Sequence, residues 1–326
     1  MLTVVVTGVG AIIGQGVVRS LRASGLPLRV VGVDRNPDSV GRSLCDAFHA
    51  KPRCDESDPA YRRFWCELVS AEQVGLVLPA LELDVLYLDS QRELFAGLGV
   101  PLALNRSELI ALSADKWHCG QAVASLGLPA IPTRQDGDWE MLLSALGPAP
   151  LLMKPRDGNG SRGVVRLHDA ADHAYWRGRH GGNNLVQRIV GSDDEEYTVG
   201  VFGFGDGEAL PPIVMRRRLA QAGNTAFAET AHEPAVVAAT GTLVRHLRPL
   251  GPTNFQFRVE AGQAYLLEIN PRFSSSASLR TAFGYNEAAM AVDLYVHARR
   301  PATPVLRAGR AWRYAEDFVE YAGDSF

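Results

Sequence analysis

No stretch of this chain approaches the roughly 18 consecutive apolar residues that a membrane-crossing helix needs, so no membrane partner is expected. Cysteine is scarce too. Cys45, Cys54, Cys66 and Cys119 are the whole complement, and no two form a C-x-x-C pair. That spacing argues against a structural zinc site and reads as free thiols of a cytoplasmic protein. A basic excess is missing: a net charge of −3 lacks the footprint of a nucleic-acid binder. The apolar run at residues 2–6 has no basic leader and passes straight into a glycine loop, so no signal peptide is expected there. What is present is ordinary. An apolar fraction of 46% over 326 residues suffices for two or three compact lobes.

The most informative stretch is residues 251–278, GPTNFQFRVEAGQAYLLEINPRFSSSAS. Phe255, Phe257 and Val259 alternate with Asn254, Gln256 and Arg258, the period-two pattern of a half-buried strand. Residues 260–263 supply a turn and residues 264–269 a second strand. Pairing the two brings Gln256 and Glu268 onto one face, with Asn270 just beyond. Those oxygens suit a magnesium ion that also holds phosphate oxygens. Arg272 follows at once, a fixed positive charge for an anion or a leaving phosphoryl group. An ordinary hairpin with one solvated acid is the competing account. The order N-x-Q, then L-E-I-N-P-R and a serine-rich tail, resembles the metal-binding end of ATP-grasp enzymes. The nearest type is that of carbamoyl phosphate synthase large subunits and related carboxylate–amine ligases.

At the start of the chain, residues 2–6 read as a buried parallel strand and residues 17–23 as a helix. A second strand, residues 28–33, ends on Asp34. Glycines at a strand-to-helix turn followed by an acid imitate a dinucleotide fingerprint, but Gly8-x-Gly10-x-x-x-Gly14 has one residue too many. Three readings stay open: an NAD(P)-dependent oxidoreductase, close strand–helix packing alone, and the one that the resemblance implies. In that last reading Gly10 faces an acceptor site. Residues 74–78 form a strand, and Glu82 and Asp84 are expected in the loop beyond it, as acceptor contacts or simply solvated. Residues 101–104 read as a last short strand before a boundary near Asn105.

Two helices follow, with Asp115-Lys116 between them, then Gly127-Leu128-Pro129 as a stop. In the resemblance Lys116 contacts nucleotide phosphates; alone it would be a solvated lysine. Lys154 sits in the apolar strand 151–155, where an ammonium must find an anion. Gly158, Gly160, Ser161 and Gly163 then form a flap whose N–H groups can close over phosphates, unlike a Walker A loop, which needs Gly-Lys-Ser/Thr before a helix. The resemblance further implies that Gln187 (where the family often has Glu), Ile189 and Val190 hold adenine and that Glu196 takes the ribose hydroxyls.

In the last third, three arginines follow a strand at residues 212–215. Alternation groups Arg216 with Arg218 and sets Arg217 opposite; Arg218 is expected to be catalytic and Arg216 to meet substrate, against a solvated edge. Asn224 and Ser276 are further expected substrate contacts, and the tail from residue 301 carries no readable pattern.

The fold implied is α/β and α+β: an open parallel, Rossmann-like pre-ATP-grasp domain at residues 1–104, then a two-lobed ATP-grasp module. Residues 105–190 would be the small nucleotide lobe and 191–326 the catalytic lobe. The implied activity is ATP-dependent ligation of a small-molecule carboxylate and an amine through an acyl phosphate. Gln256, Glu268 and Asn270 would hold Mg2+ (two ions, with Mn2+ as a substitute), and Asn270 and Arg272 would assist catalysis. The alternatives are a carbamoyl-phosphate-synthase-like kinase of bicarbonate or carbamate, the oxidoreductase, and a nucleotide-binding protein without turnover. A homodimer is compatible with any of them.

Overall fold

The computed structural model describes residues 1–135, 137–158, 163–179, 182–221 and 223–320. Its first sheet is parallel and built from β1 (Leu2–Thr7), β2 (Leu28–Asp34), β3 (Ala47–Ala50) and β4 (Val74–Leu78), in the order β3-β2-β1-β4. Val4, Val5 and Val6 are fully buried because both faces are covered. Helix Ile12–Ala23 packs Val17, Val18 and Leu21 against one face, and helix Pro59–Glu72 packs Tyr61, Trp65 and Leu68 against the other. The strand order reverses between β1 and β4, so the loops after these two strands flank the sheet's crevice. The expected strand at residues 101–104 is reduced to a single bridge, Val77 to Leu102.

The glycine turn after β1 is explained by packing. A Cβ on Gly14 would stand 2.2 Å from the Gly8 carbonyl oxygen, and Gly8 has φ +63°. Gly10 donates its amide to Asp34 Oδ2 at 2.7 Å, and Asn36 donates to Oδ1 at 2.9 Å. Both carboxylate oxygens that a dinucleotide ribose would use are therefore engaged by backbone. Asp34 thus has a structural role in the turn, as the packing reading expects.

The second sheet is antiparallel: β5 (Thr133–Arg134), β6 (Leu151–Pro155), β7 (Val165–Leu167) and β8 (Asn184–Arg188), ordered β5-β8-β6-β7. Alternation sends Met153 and Val186 into a small core with helix Trp139–Leu146, and their neighbours Lys154 and Gln187 to the opposite face.

The third sheet has β9 (Glu196–Phe204), β10 (Ile213–Leu219), β11 (Thr225–Thr230), β12 (Leu250–Glu260), β13 (Gln263–Asn270) and β14 (Arg310–Trp312), in the order β13-β12-β9-β10-β11-β14. Helix Pro234–Leu247 covers its back over Tyr197, Val199, Phe255 and Phe257. On the front, helices Ala277–Ala282 and Glu287–Tyr295 join it to helix Ile12–Ala23, where Thr281 Oγ1 bonds Ser20 Oγ at 2.8 Å. Part of the tail thus has a structural role: Ala311 in β14 pairs with Ala228 in β11.

Candidate active site

The second and third sheets face each other across a cleft of about 560 Å³, closed at one end by the turn after β1. Its floor is the β12–β13 hairpin, with Asn254 opposite Asn270 and Gln256 opposite Glu268. A bulge then shifts the pairing, so that Phe257 meets Leu266. The extra residue, Leu267, leaves the core side. Leu267 and Glu268 both line the cleft while Leu266 and Ile269 remain in the core.

Among the described residues no group of three or more His, Cys, Asp or Glu side chains could hold a metal. The hairpin instead offers one carboxylate, Glu268, between two amide oxygens. Gln256 Oε1 accepts from Arg217 at 2.8 Å and Asn270 Oδ1 accepts from Arg272 at 2.8 Å. Each amide oxygen keeps a second lone pair. An all-oxygen set of this kind fits a magnesium ion that completes its shell with phosphate oxygens and water.

Cations surround that set. Burial and the nearby Lys116 ammonium pull Lys154 down to about 8, against the opposing effect of Glu268. Lys116 donates to the Gly158 carbonyl at 2.5 Å and begins helix Lys116–Ser125. Asp115 caps that helix, accepting from Trp117 N and His118 N, and pairs with Arg156 at 2.6 Å. The Arg156 hydrogen bond, foremost, holds the Asp115 carboxyl at about 2. Its contribution is complete above the ordinary value of 3.8 and is lost as pH falls toward 2. Asp115→Ala should therefore cost about 1–2 kcal/mol near neutral pH. Paired urea titrations at pH 7, 4 and 3 check this: the gap must narrow below pH 4.

The arginine triplet is arranged opposite to expectation. β10 runs through it, and Arg217 continues the face of Ile213 and Met215 into the cleft. Arg216 is turned outward onto Glu229, and Arg218 is 69% exposed beside Asp194. Neither the catalytic role expected of Arg218 nor the substrate role of Arg216 fits these positions. Phase was the available signal: counting by two from buried Met215 arrives at Arg217. Glu196 is corrected by the same network. Arg217 Nε and Nη2 bond its Oε1 at 3.1 and 2.9 Å, and Arg258 Nε and Nη2 bond its Oε2 at 3.1 and 3.0 Å. With its oxygens so engaged, Glu196 supports this wall of the cleft, and the ribose contact has no support. Burial lowers Arg217 from the usual guanidinium value, with Glu196 opposing.

At the opposite wall Gln187, Ile189 and Val190 line the cleft. The Thr133 hydroxyl donates to the Ile131 carbonyl at 2.7 Å, so its oxygen can only accept from Gln187 Nε2, also at 2.7 Å. That relay orients the amide: Nε2 is held by Thr133, and Oε1 has no hydrogen-bond partner among the described residues. Gly158 lines the cleft, whereas Gly163 is described but is not among its lining residues. Gly160 and Ser161 lie outside the described residues.

The remaining expected contacts divide. Arg272 and Asn224 line the cleft; burial lowers Arg272, opposed by Glu268 and Glu82. Glu82 and Asp84 belong to the first turn of helix Glu82–Ser90 and not to a loop. Glu82 acts on Arg272 from outside the cleft wall, while Asp84 is a buried ion-pair partner of Lys51 with no route to substrate. Ser276 is fully buried and bonded to Thr225 at 3.0 Å, and Gly10 is used by Asp34. Gly10, Glu82, Asp84 and Ser276 are all absent from the cleft lining, and the substrate role expected of them is without support there.

Residues 190–318 match the family model described as ATP-grasp in the biosynthetic pathway with Ter operon. The chain is 27% identical over 210 residues to the uncharacterised protein y4rH of Sinorhizobium fredii, and the match spans 57% of this chain and about a third (36%) of that relative's length. Among solved structures it resembles the biotin carboxylase domain of Hydrogenobacter thermophilus 2-oxoglutarate carboxylase, in complex with MgADP, ADP and bicarbonate. That match has a TM-score of 0.67 and 12% identity, covering 92% of this chain and 70% of that one. An L-amino acid ligase from Bacillus licheniformis matches with a TM-score of 0.66 and 14% identity, covering 94% and 74%. At such identities the likeness is one of fold. No helix is long and apolar enough to cross a membrane among the described residues, and the four cysteines are free.

Proposed function

We propose that this chain, which has the ATP-grasp fold, is an ATP-dependent carboxylate–amine ligase that releases ADP and phosphate. The observation that carries the reading is Glu268 set between Gln256 and Asn270 beside the half-buried Lys154. Units at residues 1–104, 105–190 and 191–326 would supply the acceptor end, the nucleotide wall and the catalytic floor. Adenine would lie against Gln187, Ile189 and Val190, with the triphosphate between Lys116 and Lys154. Magnesium, held by Gln256, Glu268 and Asn270, would neutralise and align phosphate oxygens. A substrate carboxylate oxygen then bonds to the γ-phosphorus, the bond to the β–γ bridging oxygen breaks, and ADP departs. Arg272 stabilises the charge that develops there. An amine nitrogen attacks the acyl carbon of the resulting acyl phosphate, phosphate leaves, and the amine gives up a proton. A cytoplasmic location and a homodimer are consistent with this reading.

The test is ADP release from the full chain with Mg·ATP, against carboxylates and amines, with and without bicarbonate. Release that requires both magnesium and a carboxylate is expected; release indifferent to either defeats the proposal. The Gln187 relay adds a second expectation. Thr133→Val removes the acceptor that holds Nε2, so the amide can flip and present a donor. Preference for ATP over ITP should fall about threefold to tenfold, the value of one hydrogen bond. Competition binding of the two nucleotides checks it; an unchanged ratio would remove Gln187 from base recognition.

A further inference from the structure

We infer that the end of the cleft beyond Arg272 takes a monocarboxylate with an uncharged, apolar body as the acceptor of the proposed ligation. The inference rests on the ligase reading and goes further, naming the class of acid. The cleft has a direction. Gln187 and Ile189 lie on the wall formed by the second sheet, and Gln256 and Glu268 on the floor. The other end is built by the turn after β1. Helix Ile12–Ala23 rests on helix Ala277–Ala282 so closely that a Cβ on Gly16 would stand 3.6 Å from Ser278 N. That contact sets Ile12 and Ile13 next to the segment that follows Arg272.

The chemistry of this end is sparse. Ile12, Ile13 and Leu219 give it apolar surface, and Leu219 is 39% exposed. Its polar side chains, Asn224, Ser274 and Ser275, are uncharged, and Arg272 is the cation in its lining; Arg313, which donates to the Ser275 carbonyl at 2.7 Å, is not among the lining residues. Among the described residues the acidic side chains lining the whole cleft are Asp157, Glu196 and Glu268. Asp157 adjoins the Gly158 turn and accepts from Asn183. Glu196 is engaged by two arginines, and Glu268 is the carboxylate of the metal position. None remains for an ammonium group. Glu82, the acid that acts on Arg272, is not part of the cleft wall.

Three acceptor classes can be compared on these terms. An α-amino acid would bring its ammonium beside two isoleucines with none of the cleft's described acidic side chains left to meet it, a costly desolvation. A dicarboxylate would place its second charge on the same apolar surface. Bicarbonate would satisfy Arg272 and leave the isoleucines uncovered. A single carboxylate on Arg272 with an aliphatic or aryl body over Ile12, Ile13 and Leu219 uses every feature of this end.

The experiment compares 4-methylpentanoate and 3-phenylpropanoate with leucine and phenylalanine, which differ from them by the α-ammonium alone. Succinate and bicarbonate are further arms. Hydroxylamine serves as the amine, and ADP and hydroxamate are measured on the full chain. The deaminated acids should show at least about tenfold higher kcat/KM. Equal or better turnover of the amino acids, succinate or bicarbonate overturns the inference. Ile12→Asp is the companion variant. It places an acid in the first turn of a helix that has none there, a position that tolerates one. It should lower turnover of the apolar acids about tenfold and narrow their lead over the amino acids, with Mg·ADP affinity unchanged. Unchanged preference in that variant also overturns the inference. ADP release from no acid at all, while Mg·ADP still binds, rejects the ligase reading itself and the inference with it.

Discussion

Glu268→Gln is expected to reduce magnesium-dependent ADP release by about 10³-fold while leaving the fold intact. The argument is one of charge. Glu268 is the single carboxylate in a donor set otherwise made of the amide oxygens of Gln256 and Asn270. The substitution keeps shape and one carbonyl oxygen but leaves the magnesium ion with no anionic protein ligand. Metal-borne stabilisation of transferring phosphoryl groups is worth several kcal/mol, and about 4 kcal/mol is three decades of rate. Lys154 sharpens the effect. Glu268 is what opposes the burial and the Lys116 repulsion that depress it, so an amide at position 268 also makes that ammonium harder to keep. Manganese binding followed by electron paramagnetic resonance, together with steady-state ADP release, would test both halves. Normal turnover at ordinary magnesium would remove the metal assignment from this hairpin.

Arg280→Met should produce the largest loss of stability, about 3–5 kcal/mol, with a Tm drop on the order of 10 °C. Arg280 and Glu287 are 0% and 1% exposed and meet at 2.9 Å. Arg280 Nη2 also reaches Thr198 Oγ1 at 3.0 Å and Asn254 Oδ1, tying the helices over the sheet to the cleft residue Asn254. Room for the guanidinium exists because residue 200 is glycine: a Cβ there would stand 2.8 Å from Arg280 Nη1. Removing the cation leaves Glu287 buried and unpaired, with Oε2 already lacking a partner. Burial raises the Glu287 carboxyl, and the arginine opposes that rise. The pair is therefore worth testing as a pair. Arg280→Met combined with Glu287→Leu should recover most of the loss, because no charge is then left in the core. A single variant within 1 kcal/mol of the parent would mean that Glu287 is already neutral in the folded protein.

Local order was legible in the chain itself. Alternating Phe255, Phe257 and Val259 specified a strand with Gln256 on its other face. What brings Glu268 opposite Gln256 is the bulge at Leu267: regular pairing outward from the Glu260–Gln263 turn would have set Leu267 there instead. The apolar run around Lys154 marked an ammonium drawn partly out of solvent, because a period of two leaves few places for a side chain to go. Tertiary structure decided which charges were already claimed. Glu196 is held by Arg217 and Arg258, 21 and 62 residues away, and Asp84 by Lys51, 33 residues away. β14 closes its sheet edge against a strand some 80 residues earlier. Ser276 disappears beneath Thr225. Alternation tells a residue which neighbours share its face. It does not tell the residue what the other side of the molecule will bring to that face, because a buried charge answers to the nearest partner in space.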